Sequence, residues 1–255
     1  MSRLDEILAV KRREVEQLRP RAAELHRQAV LRNDFRSLRA ALKREDGKLS
    51  IIAEVKKASP SAGIIAESFD PVEIARGYEQ NGASAISVLT DAQFFHGALD
   101  HLVDVRAEVA LPVLRKDFVI DEIQISEASA NRADAILLIV AALTQKELVD
   151  LSEAAVKYQL DALVEVHTLE EMDRAADAGA QIIGINNRDL TTFHVDLSVT
   201  ERLSEDAPND IVLVSESGIK TREDVARIKA CGINAVLVGE ALMRGELSIK
   251  QIRAA

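Results

Sequence analysis

A chain of 255 residues, 47% apolar and 29% charged, is long enough to bury a full core and has the balance of an ordinary globular protein. Its net charge of −10 argues against a nucleic-acid surface as the main function. The longest apolar run, AILLIVAAL at 135–143, falls far short of the roughly 20 residues that a membrane helix needs.

The opening MSRLDEILAVKRREVEQLRP has no apolar core with a cleavage site, so it does not read as a secretory signal, and a cytoplasmic protein is expected. Residues 1–47 carry twelve Lys/Arg against eight Asp/Glu, a surplus of +4 that leaves −14 on the rest of the chain. Within them Leu4, Ile7, Leu8, Val15 and Leu18 form an amphipathic stripe, and DFRSLRAAL at 34–42 suggests another helix. The segment therefore reads as a basic helical extension, 1–47, that packs on a body formed by 48–255.

From residue 51 onward short β-branched runs alternate with helical stretches. The strands are IIAEV (51–55), AISVL (85–89), PVLRK (112–116), AILLIV (135–140), ALVEV (162–166), IIGIN (182–186), IVLVS (211–215) and AVLVG (235–239). Asp70-Pro71 reads as an N-cap followed by proline at the first helical position, while Thr144/Glu147 and Thr221/Asp224 have capping-box spacing. NGASAISVL, NRADAILLI, AGAQIIGIN and CGINAVLVG recur before the second, fourth, sixth and eighth strands, an internal repeat in which three of the four carry glycine where a helix ends.

Eight βα units with nearly continuous apolar strands predict an α/β fold, a single (β/α)8 TIM barrel with an N-terminal helical extension. A doubly wound open sheet is the alternative, disfavoured by the absence of a GxGxxG fingerprint after the first strand. Few prolines and no Pro/Gly/Ser-rich linker point to one structural domain. The single cysteine, Cys231, cannot form an internal disulfide and reads as a packing residue.

In such barrels, functional groups gather at the C-terminal ends of the strands. Strand alternation sets Glu54 and Lys56 on one face and turns Lys57 to the other. Lys116 ends the third strand, Glu165 lies near the end of the fifth, Asn186 and Arg188 follow the sixth, and Glu216 and Ser217 follow the seventh. A lone charge at a strand end is usually a solvated rim residue, but Glu54, Lys56, Lys116, Glu165, Asn186 and Glu216 converging on one cavity imply acid–base chemistry. Gly218 and Gly239 stand just before helical starts on the last two strands, where barrels often bind phosphate, with Glu240 an awkward anionic neighbour. The five histidines have no zinc-ligand spacing, so no metal is expected; Glu165 with His167 reads as an ordinary strand end. No G-x-S-x-G is present.

The motifs IAEVKKASPS, LRKDF, DALVEVHT, IGINNRDL, VSESGI and LVGEALM, spaced in order along the barrel, resemble those of indole-3-glycerol phosphate synthase, a tryptophan-pathway (β/α)8 enzyme. The resemblance implies ring closure of 1-(2-carboxyphenylamino)-1-deoxyribulose 5-phosphate, with loss of carbon dioxide and water, and no cofactor. It implies Lys116 as the general acid at the ketone and Lys56 as the partner of the substrate carboxylate and a second proton donor. Glu165 would be the partner acid/base, Glu54 the group holding Lys56 or substrate, and Asn186 the orienting amide. Arg188 would support the anionic end, and Glu216 and Ser217 would line the site. Phosphate would rest on the Gly218 and Gly239 turns near Ser59, and Pro60, Phe95, Phe118 and Leu137 would wall the anthranilate ring. A lysine acid works best with a lowered pKa; crowding of Lys56 and Lys116 favours that, Glu54 and Glu165 oppose it, and the balance is open.

Two positions depart from the pattern: Ala62, where many relatives have lysine, and Glu240, where some have serine. A monofunctional, monomeric enzyme is expected, acting on a small phosphorylated anthranilate-derived substrate, with no nucleic-acid or membrane partner. The rivals are a phosphoribosyl isomerase, which would use an Asp or Cys base on the first strand, a Schiff-base aldolase built on Lys56 or Lys116, and a catalytically silent sugar-phosphate-binding barrel.

Overall fold

The structure, a computed structural model, describes residues 2–43, 47–60, 63–66, 68–189, 192 and 194–255; Ala62 lies outside the described residues. Eight parallel strands close into a barrel: β1 (Ser50–Val55), β2 (Ala85–Leu89), β3 (Val113–Lys116), β4 (Ala135–Ile139), β5 (Asp161–Val166), β6 (Ile182–Asn186), β7 (Val212–Glu216) and β8 (Ala235–Val238). Each strand pairs with its sequence neighbours, and β1 pairs with both β2 and β8. Two of the predicted strands, 85–89 and 182–186, coincide with these, and the others agree to within one residue at either end. A two-residue antiparallel pair, Ala58–Ser59 with Gly63–Ile64, follows β1 and is too short to show in the sequence pattern.

The period-2 alternation of each strand divides the core in two. Ile52, Leu114, Leu137, Leu163, Val214 and Leu237 fill the barrel interior, while Ile51, Ile86, Ile136, Val164, Ile183 and Val236 meet the helices outside. The caps read from the sequence are formed: Asp70 accepts from the amides of Val72 and Glu73, and Thr144/Glu147 and Thr221/Asp224 close reciprocal capping boxes. In the repeat, Gly82, Gly179 and Gly232 adopt positive φ, and Arg132 takes the same left-handed position in the remaining copy, before β4.

The N-terminal segment forms α1 (Arg3–Leu18), α2 (Ala22–Leu31) and α3 (Leu38–Leu42). α3 is shorter than the predicted 34–42 because Ser37 caps its start, accepting from the Ala40 amide. Leu38 and Leu42 are fully buried in the interior cluster. Asp161, at the N-terminal end of β5, accepts from Ser37 Oγ and the Arg39 amide. α3 thus closes the bottom of the barrel. The link from α2 is pinned by Asp134, which accepts from Arg32 Nη2 at 2.7 Å, Arg106 Nε at 2.7 Å and the Arg36 amide at 3.1 Å. α1 runs at the opposite end, with Ile7, Leu8, Val10, Lys11 and Val15 buried. No helix among the described residues is long and apolar enough to cross a membrane.

Candidate active site

The polar strand endings meet at the C-terminal mouth. Glu54 points inward from β1, almost wholly buried, and forms an ion pair with Lys56 two residues on, as the strand's alternation requires. Space for that carboxylate comes from the residue just after β8: a β-carbon on Gly239 would stand 2.5 Å from Glu54 Oε1 and 3.1 Å from its Cβ. Gly184 on β6 does the same for Glu216, whose Oε1 occupies the place a β-carbon there would need. Two glycines therefore make room for two buried carboxylates.

Lys116, the last residue of β3, lies between two of these acids, 3.1 Å from Glu216 Oε2 and 3.3 Å from Glu165 Oε2. Asn186 pairs in register with Glu216 across β6 and β7, and its Oδ1 accepts from the Arg188 amide at 3.0 Å. Lys57 contributes to neither cavity described below and instead lies where its charge is felt by His101, on the outer helix Leu99–Glu108.

Charge balance settles the direction that the sequence left open. Burial acts to lower the pKa of Lys116, but Glu216, Glu165 and Glu54 outweigh it and raise the pKa above the ordinary lysine value. Burial acts to raise Glu165, yet Lys116, His167 and the Asn186 amide hold it below the usual carboxylate range. Glu216 goes the other way: burial, reinforced by Glu165 and only partly offset by Lys116, pushes its carboxyl up to about 7. The three groups form a shared-proton cluster in which Glu216 is the member that titrates near neutrality.

Two adjoining cavities share Glu54, Lys56, Lys116, Arg188, Ser217 and Glu240. One is largely apolar, walled by Phe95, Phe118, Leu137, Ile139, Leu89 and Pro60, with Ser59, Glu165 and Asn186 also at its surface. The Phe95 and Phe118 ring centroids are 6.2 Å apart. α1 adds Arg3, Leu4 and Ile7 to the same cavity. The other is polar, lined by Glu216, Gly218, Gly239, Lys220 and Arg244. Ser217 and Gly218 both adopt positive φ, at 65° and 84°. Glu240 is less awkward than its charge suggests, since Arg244 Nε donates to its carboxylate at 3.1 Å.

Sequence reading missed several groups here. Arg3, Lys220 and Arg244 carried no motif of their own, and Asp117 lay within LRKDF without a role assigned to it. Lys11 was legible in principle, because it lies on the apolar face between Ile7 and Val15. It is buried, with its ammonium 2.7 Å from Asp91 and 2.8 Å from Asp117. Asp91 caps the short helix carrying Phe95, and Asp117 follows Lys116, so this buried triad ties α1 to both walls of the apolar cavity. Asn187, beside Asn186, is structural: its amide donates to Ser215 Oγ and to the carbonyls of Glu216 and Ser217. Among the described residues, no group of three His, Cys, Asp or Glu side chains is arranged to hold a metal ion.

Residues 4–254 match the family model described as indole-3-glycerol phosphate synthase. The chain is 52% identical over 245 residues to the indole-3-glycerol phosphate synthase of Chlorobium luteolum, covering 95% of this chain and 93% of that protein. It is 49% identical over 244 residues to the synthase of Chlorobium phaeovibrioides, covering 95% of each, and 49% identical over 250 residues to that of Chloroherpeton thalassium, covering 96% of each.

Proposed function

The chain belongs to the indole-3-glycerol phosphate synthase family, and from that premise we propose that it converts 1-(2-carboxyphenylamino)-1-deoxyribulose 5-phosphate into indole-3-glycerol phosphate in tryptophan biosynthesis, with the residues of the barrel mouth in the following roles. The anthranilate ring lies in the apolar cavity against Phe95, Phe118, Leu137 and Pro60. The phosphate lies at the polar end, on the turns at Gly218 and Gly239 near Ser59. The ketone is then held over Lys116, where the two cavities join.

The aromatic carbon bearing the carboxylate attacks the ketone carbon, and Lys116 gives the forming alkoxide a proton. Its raised pKa keeps it charged at neutral pH, so it stabilises developing negative charge before it transfers the proton. The carboxylate, held by Lys56, leaves as carbon dioxide, and its bonding pair restores the aromatic ring. The new hydroxyl then departs as water with a second proton, from Lys56 or a recharged Lys116, while Glu165 removes a proton from the carbon next to nitrogen. Glu54 keeps Lys56 in place, Asn186 orients the substrate, Arg188 supports its anionic end, and Glu216 and Ser217 line the reacting region.

Residues 1–47 act as an extension to a catalytic barrel of residues 48–255; the side chains of Arg3, Leu4 and Ile7 in the apolar cavity support this reading. We infer a monomeric cytoplasmic enzyme with neither nucleic-acid nor membrane partners; the net charge of −10 speaks against a nucleic-acid surface. The observation that carries the proposed roles is Lys116 held between Glu165 and Glu216 at the junction of an apolar and a polar cavity. Purified protein given authentic substrate should yield a product with indole absorbance and fluorescence; inactive, folded protein would refute the function.

A further inference from the structure

Glu165 does not stand alone on β5. The next inward-facing position is His167, whose imidazole is enclosed by two carboxylates. Its backbone N–H donates to Glu171 Oε2 at 2.7 Å, and its Nδ1 lies 3.0 Å from the same oxygen. Glu171 is itself held by its place in the first turn of the helix Leu169–Asp177, where its amide donates to Thr168 Oγ1. On the far side of the ring, Nε2 is buried without a hydrogen bond and faces Glu165 Oε1 at 3.5 Å.

This arrangement fixes the tautomer. A carboxylate only accepts, so the Glu171 contact needs a proton on Nδ1, and the approach of Nε2 to Glu165 then needs one further proton between them. The pair exists as a charged imidazolium beside a carboxylate, or as a neutral imidazole beside a carboxylic acid. His167 lines neither cavity, and its side chain and that of Glu171 are 12% and 16% exposed, so the ring stands between Glu165 and solvent.

The proposed reaction calls for such a route. The ketone oxygen leaves as water and takes up two protons, whereas the carbon next to nitrogen gives back one. Substrate carboxylate plus one proton therefore yields product, carbon dioxide and water, and one proton must enter from solvent each turnover. We propose that His167, backed by Glu171, is the positioning residue through which that proton reaches Glu165 and, from it, Lys116. This inference rests on the catalytic roles given above for Glu165 and Lys116.

The charged groups around His167 agree. Burial acts to lower its pKa, but Glu171 from the following helix, Glu165 from its own strand and Glu216 from β7 outweigh that and raise it. Lys116 reaches the pair from β3 through Glu165. The relay therefore holds its proton to higher pH than a free imidazole would, and empties as pH rises through the raised value.

The test is His167→Asn in the full chain with authentic substrate, because asparagine can donate to Glu171 yet cannot carry a proton. Expected are a kcat about tenfold lower, short of the 10²–10⁴ that loss of a direct acid or base costs, an unchanged KM, a larger solvent deuterium isotope effect on kcat, and recovery with added imidazole. Unchanged kcat and isotope effect, or a loss that imidazole does not relieve, would overturn the proposal. Should His167→Asn not fold, Glu171→Gln keeps an acceptor for the ring but removes the charge. The alkaline limb of the kcat profile then moves to lower pH, and an unmoved limb overturns the relay. A parent protein without activity would instead defeat the functional reading, and full turnover in Glu165→Gln would defeat the role of Glu165.

Discussion

Lys11→Met removes the ammonium that joins α1 to the barrel mouth and leaves Asp91 and Asp117 buried without it. Its partners are unequal in what they retain. Asp117 keeps Thr90 Oγ1 at 2.5 Å, the Phe118 amide at 2.8 Å and Arg115 at 3.5 Å, whereas Asp91 keeps the amides of Phe94 and Phe95 at 2.7 and 3.2 Å. Breaking a buried pair by removing one partner costs about 3–5 kcal/mol, a large share of the roughly 5–15 kcal/mol that holds a domain folded. Asp117 is buried, which acts to raise its pKa, but Arg115 and Lys11 outweigh that and depress it. Its stabilising contribution is thus present above the unfolded pKa and lost as pH falls through the folded one. The deficit of Lys11→Met should be largest at neutral pH and shrink below about pH 4, where carboxylates take up protons in the unfolded chain. Urea unfolding of both proteins across that range measures it, and Asp91→Asn added to Lys11→Met should recover part of the loss. A deficit under about 1 kcal/mol at pH 7, or one that does not vary with pH, would refute this reasoning.

Gly239→Ala brings a β-carbon to 2.5 Å from Glu54 Oε1, so Glu54 and the Lys56 it holds must shift. Steady-state kinetics should show kcat/KM reduced about tenfold, with a stability loss of about 1–3 kcal/mol. Glu216→Gln should abolish the ionisation near 7 in the pH profile of kcat/KM, which reports groups of the free enzyme. Because the Glu216 pKa is raised from 4.5 to about 7, its contribution to stability is full below the unfolded value and lost as pH rises toward 7. Unfolding measurements should show that fall, about 3 kcal/mol, flattened in the variant.

The fold was legible because a buried parallel sheet demands nearly continuous β-branched runs, and because helix caps use few residue types. The αL position of Arg132 was not, since the repeat has glycine in the other three copies and any residue can take that position at some cost. Strand parity was enough to group Glu54 with Lys56 and to turn Lys57 away. Parity says nothing about distances across the barrel, so Lys116 could not be set between Glu165 and Glu216, nor the direction of its pKa derived. His167 read as a strand end because its two partners act from different elements; the Thr168/Glu171 capping spacing was the available clue to one of them. Lys11 was hidden by the habit of treating lysine on a helix as solvated, although its place on the apolar stripe argued otherwise.

The most direct measurement is a mixing experiment with purified protein and authentic substrate, following indole product and carbon dioxide together with proton uptake in weak buffer. The parent chain should form product and carbon dioxide in equal amounts and take up one proton for each before the carbon dioxide hydrates to bicarbonate and returns it, whereas Lys116→Ala should bind substrate yet turn over about 10²–10⁴-fold more slowly. Product formed at the parent rate by Lys116→Ala, or none formed by the folded parent, would contradict the assignment of this barrel mouth as the site of indole ring closure.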